Sequence, residues 1–436
     1  MPDCGNSDTA LKAAYHTLGC KLNFSETSTI GRMLRDRGIL TVAEGETPDI
    51  VVVNTCSVTE MADKKGRQLI RRISRDFPQA TIVVTGCYAQ LKPEQVSELP
   101  GVAVVLGSNE KLRIGQYLDR WLETHTPQID VTPPREIRQF MPSCERGDRT
   151  RWFLKVQDGC DYFCTYCTIP YARGRSRSGS IADIEAIARR AASEGATEIV
   201  ITGVNIGEFG ADTGESFLEL LKRLDAIESV QRYRISSIEP NLLTEEILHW
   251  IASESRAFMP HFHIPLQAGS DRVLKLMNRR YDTTLFAERI ALIRKLMPDA
   301  FIGVDVIAGA RGETDEEWRK SMEFIDSLPI TRLHVFPYSE RPGTAALMIG
   351  HTVPAEEKHL RTARLMQISE KKHADFINAS IGREVRVLWE APRSGSKTMH
   401  GFTENYIRVE APLDSDLINK ISTVLLTAES ISELRE

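Results

Sequence analysis

Several absences narrow this sequence before any motif does. No apolar run approaches the roughly 20 residues that a helix needs to cross a bilayer, so no membrane span or membrane partner is expected. The opening stretch MPDCGNSDTALKAAYHTLGC carries acids and has no apolar core of the secretory type, and the expected location is the cytoplasm. There is no fixed-period repeat and no low-complexity tract. A basic excess is missing too: 55 Lys and Arg face 60 Asp and Glu, a formal net charge of -5. That total does not point to nucleic acid, nor does it exclude it, because local patches make phosphate contacts. Cysteine is sparse, with eight in the chain. In a reducing compartment those thiols are expected as metal ligands, catalytic groups or buried side chains rather than disulfides.

What is present suffices for two or three domains: 436 residues, 42% of them hydrophobic. DIVVVNTC and ATIVVTGC are continuous β-branched runs, the pattern of strands buried on both faces, with amphipathic stretches such as KKGRQLIRRISRDF around them. They predict a parallel α/β domain over residues 11–123. Residues 124–145, rich in Pro and charge, read as a linker. Six strand–helix units follow, from RWFLKVQDGC to RLHVFPYSERPGT, and fit a partial (β/α)6 barrel over 146–375 with its site at the strand C-termini. GREVRVLWEA, GFTENYIRVEA and ISTVLLTAE are short strands without a long helix, read as a small β-barrel over 376–436. The fold class is α/β.

The strongest chemical signal is DGCDYFCTYCTIPYARGRSRS. Cys160, Cys164 and Cys167 sit at C-x3-C-x2-C spacing just past a strand. Three thiolates on a 4Fe–4S cube leave one iron open for another ligand. A zinc site, which wants a fourth ligand, and three unrelated core cysteines are the alternatives. A second set is spread through the sequence. Cys20 ends AAYHTLGC, Cys56 ends VVVNTC and Cys87 ends IVVTGC, so all three fall where strands of a parallel sheet finish and ligands collect. They can hold a second cluster or be three buried thiols. Cys4 and Cys144 belong to neither group and are not expected as ligands.

The run C-x3-C-x-aromatic-C, with Tyr166 as the aromatic, resembles the signature of the radical S-adenosylmethionine (SAM) superfamily. The resemblance implies that the open iron chelates SAM, that the reduced cluster splits SAM to a 5′-deoxyadenosyl radical, and that Tyr166 lies near the adenine. TLGCKLNFSE, NTCSVTEMADKK and TGCYAQ resemble the N-terminal domain of the methylthiotransferases, which insert a methylthio group into tRNA or a ribosomal protein. Nearly the whole chain is covered: this domain, the radical SAM barrel and a C-terminal TRAM domain, an RNA-binding β-barrel. The resemblance implies an auxiliary 4Fe–4S cluster on Cys20, Cys56 and Cys87, giving two clusters in all. It further implies that one SAM methylates sulfur held there, while a second yields the radical that takes hydrogen from carbon 2 of adenine. An external, flavodoxin-like electron donor is required. Protecting a radical from water leads us to expect a barrel mouth capped by the N- and C-terminal domains.

Further residues match that family's SAM-binding elements: Gly203 and Asn205 in TGVNIGEFG, Ser236 and Glu239 in RISSIEP, His263 and Gln267 in HFHIPLQAGS, Arg279 in MNRRY, and Asp305. Each equally suits a cap or a strand-end hydrogen bond. Arg173, Arg175, Arg177 and Ser178 of ARGRSRS are expected at the substrate. The chain departs from the family at residues 309–313, where Ala310 and Arg311 replace the usual Phe-Pro, so that loop is not safely an inert turn.

For RNA, Arg67 and Arg71 fall near one helical face with Lys64 and Arg75, since three- and four-residue steps align. Arg386 and Arg408 lie among the C-terminal strands, where small barrels bind RNA. The phrase GCKLN resembles the family members that act on N6-threonylcarbamoyladenosine next to the tRNA anticodon. Isopentenyl-adenosine tRNA is the alternative substrate, and an iron–sulfur redox sensor that binds RNA is the non-enzymatic alternative.

Overall fold

The computed structural model describes residues 10–43, 45–146, 150–392 and 395–432. The chain folds as two units, one of residues up to 139 together with 168–175, the other of 140–167 together with 176 onward. Cys4 lies outside the described residues.

In the first unit six parallel strands are ordered β2-β1-β3-β4-β5-β6: β1 (Lys12–Thr17), β2 (Leu40–Thr41), β3 (Ile50–Thr55), β4 (Thr81–Gly86), β5 (Val102–Leu106) and β6 (Gln128–Asp130). The β-branched runs serve two cores, because alternate side chains leave opposite faces of a strand. Ile50 and Val52 join Ile30, Leu34 and Leu118 from the helices Lys21–Arg35 and Ile114–Thr124. Val51 and Val53 join Ile70 and Ile73 of the helix Glu60–Asp76 on the other face. That helix starts where Thr59 accepts a hydrogen bond from the Ala62 amide at 3.2 Å.

The stretch expected as a linker carries two strands. β6 extends the first sheet, and β7 (Ser143–Glu145) pairs antiparallel with β8 (Trp152–Lys155) of the second unit. Three-residue edge strands are too short to show a period, so proline and charge dominate the pattern. Cys144, on β7, is fully buried in the barrel core.

Six parallel strands make the barrel: β8, β11 (Glu198–Thr202), β12 (Arg232–Ile235), β13 (His261–Gln267), β14 (Phe301–Ala308) and β15 (Arg332–Pro337). Bridges from Tyr233 to Phe258 and from Ser237 to His263 join its two sheets. A two-stranded ribbon, β9 (Gln157–Asp158) with β10 (Arg177–Ser178), follows β8 and flanks the cysteine loop. The C-terminal sheet is antiparallel, ordered β18-β17-β16-β19, with β16 Glu384–Trp389, β17 Thr398–Thr403, β18 Arg408–Pro412 and β19 Ile421–Leu425. It curls: after β19 the chain returns to β18 through a Val409–Ile431 bridge.

This domain does not cap the barrel mouth. It docks on the N-terminal ends of the barrel strands, while Cys160, Cys164 and Cys167 sit beyond the C-terminal end of β8. The anchor is a buried charge cluster around Glu198. Arg234 donates to Glu198 at 2.9 Å and to the carbonyls of Glu404 and Thr403 at 2.8 Å each. Arg232 donates to the carbonyls of Phe402 (2.9 Å) and Arg386 (2.8 Å). Arg151 pairs with Glu390 at 2.7 Å and lies over the rings of Phe402 and Tyr406. Burial pushes the Glu198 carboxyl up, but the guanidiniums of Arg234, Arg151 and Arg232 outweigh it and hold it below the usual carboxylate range.

Removing one member of such a cluster strands the others without compensation. Glu198→Ala is expected to lower unfolding stability by about 3–5 kcal/mol in urea denaturation. The Glu198 contribution is present above the ordinary carboxylate pKa and lost as pH falls through its depressed value, so the deficit of the variant shrinks in acid.

Candidate functional site

Parallel pairing decides where the first cysteine set lies. β1, β3 and β4 are neighbours, and Cys20, Cys56 and Cys87 follow their C-terminal ends. Cys20 is the N-cap of the helix Lys21–Arg35, and Cys87 opens the helix Cys87–Leu91. Two glycines permit the approach. Gly19 has φ +107°, and a Cβ there would fall 2.7 Å from the Cys56 Cβ. Gly86 has φ +94°, and a Cβ there would fall 2.3 Å from the Thr55 carbonyl oxygen. The loops are stapled by Asn23, which is buried and donates to the carbonyls of Leu18 (2.8 Å) and Thr55 (3.0 Å). Its Oδ1 lies 3.8 Å from the Cys20 sulfur. Burial first, and then the neighbouring Cys87 thiol, push the Cys56 thiol up to about 11. Burial also raises Cys87, against the charge of Arg173. Asn54 Oδ1 and Thr85 Oγ1, one residue from Thr55 and Gly86, are buried without a hydrogen-bond partner. Three convergent thiols with unspent polar atoms around them fit a bound cluster.

The second set lies in the loop after β9. Asp158 is held by Lys155 (2.8 Å) and Arg177 (3.3 Å), and its Oδ1 accepts from the Gly159 amide at 2.8 Å. The loop is tied to the turn after the helix Asp271–Leu276: the Thr165 amide donates to the Met277 carbonyl at 3.0 Å and its hydroxyl to the Leu276 carbonyl at 2.9 Å. Arg279 donates to the Cys164 sulfur at 3.0 Å and to the Tyr166 hydroxyl at 3.4 Å, and it pairs with Glu239. Burial raises all three groups facing it: the Cys164 thiol, the Tyr166 phenol and the Glu239 carboxyl, each pulled back in part by the guanidinium. Asn205 Nδ2 is 3.9 Å from the Cys160 sulfur, and its buried Oδ1 has no partner. These donors and three thiols fit an iron–sulfur cube with an open position. Among the described residues no three His, Cys, Asp or Glu side chains close on a single metal ion, whose ligands sit closer together than those of a cube.

The remaining barrel residues sort unevenly. His263 Nε2 and Asp305 Oδ1 are 2.7 Å apart, and the His263 ring stacks on His334 at 4.9 Å. Ser236, Gly203 and Gln267 sit at strand ends on the same side of the barrel. Gln267 has φ +67°, a strained backbone for a residue with a side chain. Gln157 escaped sequence reasoning. It is fully buried, and its Oε1 accepts from the amides of Val204 (3.0 Å) and Asn205 (2.9 Å) while its Nε2 donates to the Gly159 carbonyl (2.8 Å). It thereby locks two of the expected SAM loops together; the only hint was its place just before DGC.

The basic residues expected at substrate or RNA fall in different surroundings. Arg173, expected at the substrate, is 1% exposed and bound to Glu26 and Asn23. Arg177 is buried on Asp158, and Ser178 is bound to Asp212 at 2.7 Å. Arg175 alone of the three arginines is exposed. Arg67 donates to the Tyr88 hydroxyl at 3.1 Å, and Arg67 and Arg71 line a cavity of about 500 Å³ with Lys92, where Glu60, Asp63 and Glu98 balance them. Arg386 faces Glu404 at 3.4 Å, and Arg408 is half-buried on β18. Arg311, which with Ala310 marks the departure noted in the sequence, pairs with Glu340 and donates to the carbonyls of Leu347 (3.0 Å) and Ile349 (2.9 Å). The Ala346 amide beside them donates to the Thr165 carbonyl in the cysteine loop at 2.9 Å. The replaced turn is therefore a latch behind that loop.

Two substitutions test these contacts. Arg279→Met, which removes a contact to a ligand sulfur, is expected to lower SAM cleavage by about 10- to 100-fold, read as 5′-deoxyadenosine formed with dithionite. Arg311→Ala is expected to weaken the latch and lower the thermal midpoint, with Arg311→Lys recovering only part of the loss because lysine lacks the planar fork.

Residues 12–107 match the model described as uncharacterized protein family UPF0004, and residues 154–325 match the radical SAM superfamily. The chain is 37% identical over 420 residues to the threonylcarbamoyladenosine tRNA methylthiotransferase MtaB of Bacillus subtilis, covering 94% of this chain and 92% of the relative. The MtaB of Aquifex aeolicus is 35% identical over 404 residues, with 92% and 96% covered. A tRNA-2-methylthio-N(6)-dimethylallyladenosine synthase of Thermobifida fusca is 33% identical, with 85% and 76% covered. In fold the chain resembles the radical SAM methyltransferase TsrM of Kitasatospora setae, with a TM-score of 0.57 at 15% identity over 77% of each chain. SAM and iron–sulfur chemistry come with the superfamily. The chain belongs to the radical SAM tRNA methylthiotransferases, with its similarity running to the MtaB type.

Proposed function

We propose that this enzyme methylthiolates carbon 2 of N6-threonylcarbamoyladenosine in tRNA. The observation that carries the reading is the GCKLN run at Cys20, on a chain that aligns over more than nine-tenths of its length with relatives named for that nucleoside. When bound, two SAM molecules and two 4Fe–4S clusters supply the methyl group, the sulfur transfer and the hydrogen-abstracting radical. The chain's own residues hold and orient them. Cys160, Cys164 and Cys167 are the ligands of one cluster, and Cys20, Cys56 and Cys87 those of the other. Arg279 steadies Cys164, and Tyr166 keeps its phenolic proton because burial holds its pKa far above neutral. Gly203, Asn205, Ser236, Glu239, His263, Gln267 and Asp305 line the SAM side, where polar groups of both kinds, neutral and charged, suit a zwitterion with a ribose.

The C-terminal β-domain serves as the TRAM module for RNA, with Arg386 and Arg408 on it, and Arg175, Arg67 and Arg71 offer further phosphate contacts. Reduction comes from a flavodoxin-like donor in the cytoplasm. Mass spectrometry of tRNA nucleosides from cells with and without the gene tests the substrate. The 2-methylthio derivative of threonylcarbamoyladenosine is expected to appear only with the gene, and its appearance on isopentenyl-adenosine would overturn the reading in favour of the synthase-like relatives. In the reconstituted protein, Ala at Cys20, Cys56 and Cys87 is expected to halve the roughly eight irons per chain yet spare SAM cleavage. Loss of all iron would contradict two separate sites.

A further inference from the structure

A buried charge triad lies among the residues that hold the first cysteine set. Arg173, Lys111 and Glu26 are each at most 4% exposed. The Arg173 guanidinium donates to both Glu26 oxygens, at 3.0 and 3.1 Å, and Lys111 Nζ stands 2.6 Å from the same carboxylate. Arg173 and Lys111 thus bring two buried cations to one carboxylate beside the cysteine loops. Toward the cysteines Arg173 donates to Asn23 Oδ1 at 2.6 Å. The charge of Arg173 acts on Cys56 and Cys87, and that of Lys111 on Cys87. Three thiolates outweigh the charge of an oxidised 4Fe–4S core, so a cluster held there is an anion that the nearby Arg173 charge stabilises.

Geometry gives Arg173 a second role. Its partner Asn23 is the residue that donates to the carbonyl of Leu18, two positions before Cys20, and of Thr55, immediately before Cys56. Asn54 closes the arrangement by donating to the Asn23 carbonyl at 2.9 Å. An amide side chain can turn over; a guanidinium against its oxygen fixes which end is the donor. Arg173 therefore sets Asn23, and Asn23 sets the two loops.

We propose that Arg173 is a positioning residue of the auxiliary cluster, orienting the Cys20 and Cys56 loops through Asn23 and offsetting the negative charge of the bound cluster. This rests on the two-cluster reading above. It removes Arg173 from the substrate contacts and explains why an arginine so close in sequence to Cys167 is buried on carboxylate and amide instead of facing RNA.

The test uses the full-length protein reconstituted anaerobically with iron and sulfide, as wild type, Arg173→Met and Arg173→Lys. Iron per chain is counted, and the auxiliary cluster is followed by EPR during a redox titration. Arg173→Met is expected either to lose that cluster, with iron falling by about half, or to keep it at a more negative midpoint, because a cation that favours the reduced form is gone. Arg173→Lys keeps the charge but not the fork, so it is expected to hold the midpoint near wild type while altering the EPR line shape. If Arg173→Met does not accumulate as folded protein, the lysine variant decides: an unchanged line shape overturns the proposal. So does an Arg173→Met protein with full iron, wild-type midpoint and wild-type line shape. Wild-type protein that takes up only one cluster would sink the two-cluster reading itself, a separate and recognisable failure.

Discussion

Parallel strand pairing is the constraint on which everything else in this molecule depends. It sends every strand's C-terminal end to one edge of its sheet, so the loops after β1, β3 and β4 meet, and the loops after the barrel strands meet likewise. The first cysteine set is assembled by that rule, the second lies within one loop at the same end of the barrel strands, and a few buried polar side chains fix both. The opposite edge is left for architecture, and there the Glu198 cluster anchors the C-terminal domain by its backbone carbonyls. Chemistry and anchoring occupy opposite ends of the same strands.

The two cysteine sets are supported by the same kind of device. At Cys164 it is Arg279, a guanidinium with a carboxylate partner in Glu239 and a donor on the sulfur. At Cys20 and Cys56 it is Arg173, with Glu26 as its carboxylate and Asn23 as the intermediary. Arginine suits both places because its charge survives burial and its fork makes several directed bonds at once. Gln157 does the neutral version of this work, joining the cysteine loop to the amides of Val204 and Asn205.

Much of this was legible in the residues. The β-branched runs announced strands with two buried faces, and alternate Val side chains do enter two different cores. The cysteine spacing announced a three-thiolate loop. Other features left no local trace. Glu26 and Lys111 are ordinary charged residues in their own segments, and only the fold brings them together from distant points in the chain. ARGRSRS looked like a basic loop for a substrate because a sequence does not show that Asp158, Asp212 and Glu26 wait for its side chains. The strands β6 and β7 hid within a proline-rich stretch too short to display a period. The placement of the C-terminal domain depends on Arg232 and Arg234 reaching carbonyls some 170 residues away, which no pattern encodes.

The proposed function stands on two separate sets of three thiols, each holding a cluster, one of which alone keeps an iron for SAM. Mössbauer spectroscopy of the iron-reconstituted wild-type protein, recorded before and after adding SAM, tests it most directly. Two 4Fe–4S populations are predicted, with SAM perturbing a single iron in one of them. One cluster per chain, or two that SAM leaves unchanged, would contradict it.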